Sequence, residues 1–160
     1  MLSVFFPTIK NIIKNAEFHI YGSINNLNDE YKQALSKLLN QDGVFNHGSV
    51  NHKQIIEEKF KSRFHLYYTN SENDCDFKNI YESIYCGCIP ILAKNSIFSS
   101  CNGLHFDGNP SSPEDHYNCA NQLIEMITEK SYLEKKKHSL ISNLNNLSIE
   151  DFINKYINNF

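Results

Sequence analysis

The sequence has little of the positive charge that nucleic-acid binding requires. Its 160 residues include a single arginine, Arg63, and carry a formal net charge of −3 at pH 7. Because a protein that binds a phosphate backbone needs a basic face, this composition argues against a nucleic-acid partner.

Long apolar runs are also absent. No run approaches the roughly 18 apolar residues of a membrane span, and residues 1–6 have neither the basic start nor the apolar length of a secretory signal. The five cysteines form an odd number and are scattered through the predicted elements, which is typical of reduced thiols. We therefore expect a cytoplasmic protein.

Paired metal ligands are lacking as well. Cys86 and Cys88 are separated by a single glycine, whereas zinc sites space paired cysteines by roughly two to four residues and need a second ligand pair. No other cysteine or histidine pair has the spacing to supply it. We therefore predict that the thiols are structural and do not hold a metal.

What is present is the composition of an ordinary globular domain. Hydrophobic residues make up 41% of the chain and charged residues 21%, so there is no signature of disorder. The length suits about one domain with a substantial core. Since neither a linker nor an internal repeat interrupts the chain, we predict a single domain over residues 1–160.

The most informative stretch covers residues 64–92. An apolar and aromatic run at 64–68 predicts a strand, an acidic loop follows at 70–78, a short helix ends at Gly87, and a second strand is predicted at 89–92. Strand, loop, helix and strand in this order form the unit of a parallel α/β sheet.

Periodicity predicts the remaining elements. Helices are expected at about 2–15, 30–40, 52–60, 114–128, 132–143 and 149–159, and strands at about 17–21, 44–46 and 103–106. Asn51 is predicted to cap the third of these helices. The predicted fold is a Rossmann-like three-layer α/β domain, with helices on both faces of one parallel sheet.

Acidic residues follow the first strand of the informative stretch. Glu72, Asp74, Asp76 and Glu82 are placed where ligands bind in such sheets, outside the carboxyl ends of the strands. Their carboxylates can accept hydrogen bonds from sugar hydroxyls. The alternative is that they only complement the dipole of the helix that follows, which contributes at most about 1 kcal/mol.

Several short segments, in this order, resemble the C-terminal domain of GT-B glycosyltransferases of family 4, also called glycosyl transferases group 1. The similar segments are 17–22 (EFHIYG), 44–50 (VFNHGSV), 81–91 (YESIYCGCIPI), 102–106 (NGLHF) and the final helix at 148–160. They follow one another in the order of the family and are spread along almost the whole chain. The resemblance implies that the chain is the C-terminal, donor-binding half of a GT-B fold.

The resemblance also implies an activity typical of polysaccharide biosynthesis. Such an enzyme transfers a hexosyl group from a UDP-, GDP- or ADP-sugar to a glycan or lipid-linked acceptor, with retention and without a metal or another cofactor. Peripheral membrane association of the full protein is compatible with it. The family's first strand, with an arginine and a lysine in the following loop, and its N-terminal acceptor domain have no counterpart here. We therefore expect a fragment or shortened descendant, poorly active alone.

The acidic pair of the family maps onto this sequence with one departure. Glu82 takes the position of the second glutamate, which contacts the ribose. Eight residues upstream, Asp74 stands where the family has the first glutamate, which faces the donor sugar. Glu72 can substitute for it if the loop is rearranged.

Other binding positions also follow from the resemblance. Asn79, Ile80 and Tyr81 would present helix N–H groups to the diphosphate, and Gly22 would let the backbone approach the nucleotide. The alternatives are that Gly22 is only a turn glycine and that Tyr81 is a core aromatic residue. The base would be lined by the segment Ser49, Val50 and Asn51.

Two rival functions remain open at this stage. The passage FHLYYTNSENDCDF also resembles GDP-fucose fucosyltransferases of family 10, although the T-E-K that should follow is missing. Tighter binding of GDP than of UDP would favour that family. The other rival is a degenerate, non-catalytic module that binds nucleotide sugars or serves assembly, as the missing cations and Asp74 suggest.

Overall fold

The structure is a computed structural model that describes residues 1–23, 28–69 and 77–145. In these ranges the strands are β1 (Phe18–Tyr21), β2 (Val44–Gly48), β3 (Phe64–Tyr67), β4 (Ile89–Ala93) and β5 (Leu104–Phe106). The helices are α1 (Phe5–Ile12), α2 (Asp29–Leu39), α3 (His52–Lys61), α4 (Phe77–Tyr85), α5 (Pro113–Thr128) and α6 (Lys130–Asn145).

The predicted α/β class and the parallel direction of the strands are confirmed. Each predicted element within the described ranges is present, with boundaries shifted by a few residues. The described strands, however, form two parallel sheets instead of one, namely β1-β2 and β3-β4-β5. The predicted helix at 149–159 and most of the acidic loop at 70–78 lie outside the described residues.

The core is built around β4. This strand pairs with β3 on one edge and β5 on the other, and all five of its residues are buried. Apolar side chains from α4, α5 and α6 pack against it in one cluster, which includes Ile80, Ile84, Leu123 and Leu133. Helix α1 packs mainly on α5, and α3 on α4, as expected for two helix layers around a parallel sheet.

The half of the domain that contains β1 and β2 is packed less tightly. Helix α2 has no buried residue, and the only buried residue of α3 is Lys59. All four residues of β1 are only half-buried, in contrast to β4. The carboxyl-terminal half therefore contributes most of the buried apolar surface.

The start of α3 is fixed locally. The Asn51 side chain accepts a hydrogen bond from the Gln54 N–H at 2.9 Å, and the Asn51 N–H donates to Gln54 Oε1 at 3.2 Å. This reciprocal capping box satisfies two backbone donors at the helix end. It confirms the prediction that Asn51 caps this helix, and it sets the first turn of α3 directly after β2.

Gly103 is required where the chain enters β5. A Cβ atom at this position would lie 2.8 Å from the Pro90 carbonyl oxygen of β4 and 2.9 Å from Leu92 Cδ1.

We predict that Gly103→Ala lowers the free energy of unfolding by about 1–3 kcal/mol, because the backbone of the central strand has to shift. Urea unfolding measures the change. The exposed Ser100→Ala should stay within about 0.5 kcal/mol of wild type, and equal losses in both variants would contradict this packing.

Candidate functional site

The predicted base-binding segment lies at the carboxyl edge of the two-stranded sheet. The Gly22 N–H donates to the Gly48 carbonyl at 2.8 Å, so the ends of β1 and β2 lie side by side. Gly22 has φ of 145° and Gly48 of 64°, and a Cβ at either position would meet no atom within 4 Å. Ser49, Val50 and Asn51 follow directly, so this edge combines turn glycines with open space.

Glu82 reaches this region from α4. Its Oε1 atom lies 3.3 Å from Nε2 of His52, the first residue of α3. The carboxylate is therefore next to the turn that follows Asn51, although the two segments are far apart in sequence. The side chain of Glu82 is 21% exposed, which leaves part of the carboxylate accessible to solvent.

A buried lysine holds the other oxygen of the same carboxylate. Lys59 is 7% exposed, and its Nζ lies 3.4 Å from Glu82 Oε2. Nζ also donates to the carbonyl of Asn79 at 2.9 Å and to the Asn79 side chain. The solvent-exposed Lys78 lies on the outer side, with its Nζ 3.7 Å from Glu82 Oε1. Three basic side chains, those of Lys59, His52 and Lys78, therefore lie around the carboxylate of Glu82.

The network continues into β3 through Ser83. The fully buried Ser83 hydroxyl donates to the Asn79 carbonyl at 2.8 Å and lies 2.6 Å from His65 Nδ1. Burial, and to a smaller extent the charge of Lys59, lowers the pKa of His65 from 6.5 to about 4. The imidazole is therefore neutral near pH 7, and the only full charges in the network are those around Glu82.

The positions predicted to bind the diphosphate lie in the first turns of α4. Because this helix begins at Phe77, its first four residues end at Ile80, and the positive end of the helix dipole lies there. Tyr81 is the fifth residue. The side chains of Ile80 and Tyr81 are 0% and 1% exposed, so Tyr81 is a core aromatic residue and only backbone groups of this pair can face a ligand.

Some predicted positions are not described, and one important residue was missed. Glu72 and Asp74 lie outside the described residues, so their place relative to Glu82 stays a prediction. Lys59 was not singled out, because a lysine in a charged helical segment is usually solvent-exposed. Lys59 stands four residues after the half-buried Ile55 and therefore on the same face of the helix. This spacing was the available signal that its side chain points inward.

A large cavity borders this network. It has a volume of about 830 Å³ and lies between β1 and β3, with Lys59, His65 and Asn79 among its lining residues. Glu82 contacts Lys59 but does not itself line the cavity. The site therefore consists of a charged cluster at the edge of α3 and α4, next to a cavity that reaches into the sheet.

The described part of the chain offers no group of three or more histidine, cysteine or carboxylate side chains placed to hold a metal ion. Nor does any helix within it combine the length and the apolar character needed to cross a membrane.

No protein-family model and no curated protein matches the sequence. The family resemblance therefore depends on the similar sequence segments alone.

We predict that Lys59→Met lowers the free energy of unfolding by about 1–3 kcal/mol, because it removes the buried partner of Glu82 and of the Asn79 side chain. The methionine retains most of the apolar stem of the side chain. The control is Lys78→Met, whose side chain is 78% exposed and whose loss should cost less than about 1 kcal/mol. Urea unfolding measures the free energy of unfolding of both variants. Similar losses in the two would show that the burial of Lys59 is unimportant.

We also predict a pH dependence of stability that arises from His65. Its pKa is about 4 in the folded chain and about 6.5 in the unfolded chain, so the unfolded state binds the proton more strongly. The contribution of neutral His65 to stability is complete above pH 6.5 and is lost as the pH falls from 6.5 towards 4, by up to about 1.4 kcal/mol per pH unit.

Chemical denaturation of His65→Gln between pH 5 and 7 tests this assignment. The variant should lose most of the pH dependence seen in the wild type, because glutamine does not titrate. His138, which is exposed on α6, provides the control, and His138→Gln should retain the wild-type profile. If both variants retain it, the titration belongs to another group.

Proposed function

We propose that this chain is the nucleotide-sugar-binding domain of a GT-B glycosyltransferase similar to family 4. The full protein would transfer a hexosyl group from a nucleoside diphosphate sugar to a glycan or lipid-linked acceptor. The observation that carries the proposal is the contact between Glu82 and His52. It brings the acidic residue assigned to the ribose next to the segment assigned to the base.

The chemistry of the cluster suits a ribose and a diphosphate. A carboxylate accepts hydrogen bonds from the two vicinal hydroxyls of a ribose, and Glu82 keeps part of its surface accessible for this. The positive end of the α4 dipole and the exposed Lys78 supply positive charge for phosphate oxygens. Lys59 would act indirectly, by fixing the orientation of Glu82.

The same groups would assist transfer by stabilising the leaving group. Negative charge grows on the departing diphosphate as the sugar becomes oxocarbenium-like, and prearranged donors and cations lower the energy of that state. Donor sugar contacts would come from Asp74 or Glu72. As the resemblance implies, the acceptor would be held by a separate domain, and transfer would retain the anomeric configuration without a metal.

Calorimetry with UDP, GDP, ADP and their sugars tests the proposal on the full chain. We predict weak binding with a preference for one base, because part of a complete donor site is supplied by the acceptor domain. Glu82→Gln should weaken binding of the preferred nucleotide by about tenfold, since it removes the charge from hydrogen bonds worth roughly 1.5–3 kcal/mol.

The control variant is Glu57→Gln, which changes an exposed carboxylate of α3 that pairs with Lys53. It should bind as the wild type does. Equal weakening in both variants would assign the effect to net charge and not to the site. Absence of binding to every nucleotide, also when an acceptor domain is joined to the chain, would refute the proposal.

A further inference from the structure

The outer edge of β2 has no neighbouring strand among the described residues. This strand pairs with β1 on its inner side only. A free edge presents backbone donors and acceptors to solvent, and proteins usually protect it with charged side chains, with proline or by making it very short. The sequence of β2, Val-Phe-Asn-His-Gly, has no charged residue and no proline, and it is longer than the three residues of β5. The edge of β2 is therefore open to another strand.

The backbone of β2 alternates between its two edges. The Phe18 N–H donates to the Gly43 carbonyl at 2.8 Å, so Gly43 and, two residues further on, Phe45 direct backbone groups to β1. The N–H and C=O groups of Asn46 therefore point to the free edge, and so does the carbonyl of Val44. The free edge thus has both a donor and acceptors at its centre.

These groups match themselves about a two-fold axis at Asn46. When two β2 strands pair antiparallel around this axis, the Asn46 N–H of each copy donates to the Asn46 carbonyl of the other. Val44 then lies opposite Gly48 of the second copy. In the single chain the Gly48 N–H is 3.2 Å from Asn46 Oδ1, and in the pair it can donate to the Val44 carbonyl of the other copy instead. Four backbone hydrogen bonds are thereby available to the pair.

The side chains on one face of β2 also suit this pairing. Phe45 stacks on His19 with 5.0 Å between the ring centroids, and Tyr21 stacks on His47 at 4.6 Å. Phe45 is 43% exposed, so this row of rings reaches the free edge uncovered. In a pair centred on Asn46, Phe45 lies directly opposite His47 of the second copy, at positions where cross-strand side chains approach closely. The row of rings then continues across the axis.

Helix α2, which contacts β2, has an apolar face that the described residues cover only in part. Its apolar residues recur at i, i+3, i+4, i+7 and i+8, the spacing of one helix face. These residues are Tyr31, Ala34, Leu35, Leu38 and Leu39. None of them is buried, and Tyr31 is 67% exposed. A two-fold axis perpendicular to the sheet keeps the α2 helices of both copies on the same face, antiparallel and next to each other.

The charges of these elements favour a second copy as the partner. Asp29 and Glu30 lie in the first turn of α2, and Lys37 lies in its last turn. In two antiparallel copies, the acidic start of one helix is beside the basic end of the other, and the helix dipoles oppose each other. Because β2 itself carries no charged residue, its self-pairing brings no like charges together.

We propose that this chain forms a symmetric dimer in which the β2 strands pair antiparallel across a two-fold axis at Asn46 and the α2 helices pack against each other. The two-stranded sheets of the two copies become one four-stranded sheet in the order β1-β2-β2-β1. The same surface is used by both copies, so the assembly closes at two chains. Its formation does not depend on whether the chain binds a nucleotide sugar.

A disulfide at the axis tests the pairing directly. The Cα atoms of a hydrogen-bonded antiparallel pair lie about 5.5 Å apart, within the range of about 4.4–6.8 Å that a disulfide spans. Asn46→Cys should therefore give a covalent dimer under mild oxidation, seen in non-reducing electrophoresis. The controls are the wild type and His138→Cys, which places a thiol at an exposed position of α6. Both should cross-link at least about tenfold more slowly.

Sedimentation equilibrium measures the same dimer without a cross-link. The apparent mass of the wild type should rise towards that of two chains as the concentration increases. Asn46→Pro removes an N–H group that β1 does not use, and it should raise the dissociation constant of the dimer by about tenfold or more. Phe45→Lys puts a charge on the edge and should act in the same direction. Asn46→Val keeps the backbone donor and should dimerise at least as tightly as the wild type.

Circular dichroism and urea unfolding establish that each variant is folded, and if Asn46→Pro is not, Phe45→Lys takes its place. The proposal is overturned if the wild type remains a monomer up to about 1 mM, or if Asn46→Cys cross-links no faster than His138→Cys. It is also overturned if a dimer forms that neither Asn46→Pro nor Phe45→Lys weakens, because another surface would then hold the two chains together.

Discussion

The pairing of β4 on both of its edges is the constraint around which the domain is organised. A strand between two neighbours has its backbone satisfied and can be buried completely, as all five residues of β4 are. Helices α4, α5 and α6 add their apolar faces to it. Because β1 and β3 are each paired on one edge only, the helices beside the gap have less surface to cover. Helix α2 contacts the outer strand β2 instead, and it buries no residue.

Polar contacts replace apolar packing where the two halves meet. Helix α3 buries one residue, and that residue is a lysine whose charge has to be compensated inside the protein. Glu82 and Asn79 of α4 provide the compensation, so the network that joins α3 to α4 also fixes the carboxylate of Glu82. The orientation of the candidate binding residue is thus a consequence of how the loosely packed half is attached.

The sequence predicted local features well and long-range pairing poorly. The unbroken apolar run at β4 and the asparagine before α3 are local signals, and both elements have the expected bounds within a few residues. The separation into two sheets has no local signal, because it depends on which strands meet across the gap. For the same reason Glu82 could be selected by position, whereas its contacts with Lys59 and His52 of α3 could not be predicted.

The gap between the two sheets is physically connected to the charged cluster around Glu82. Lys59, Asn79 and His65 belong to the hydrogen-bond network around Glu82 and also line the cavity. Because Lys59 is buried beside this cavity, its attraction to the Glu82 carboxylate depends on how much water the cavity admits, since charges attract more strongly at lower dielectric. The way the two sheets pack across the gap therefore affects how firmly the carboxylate of Glu82 is held.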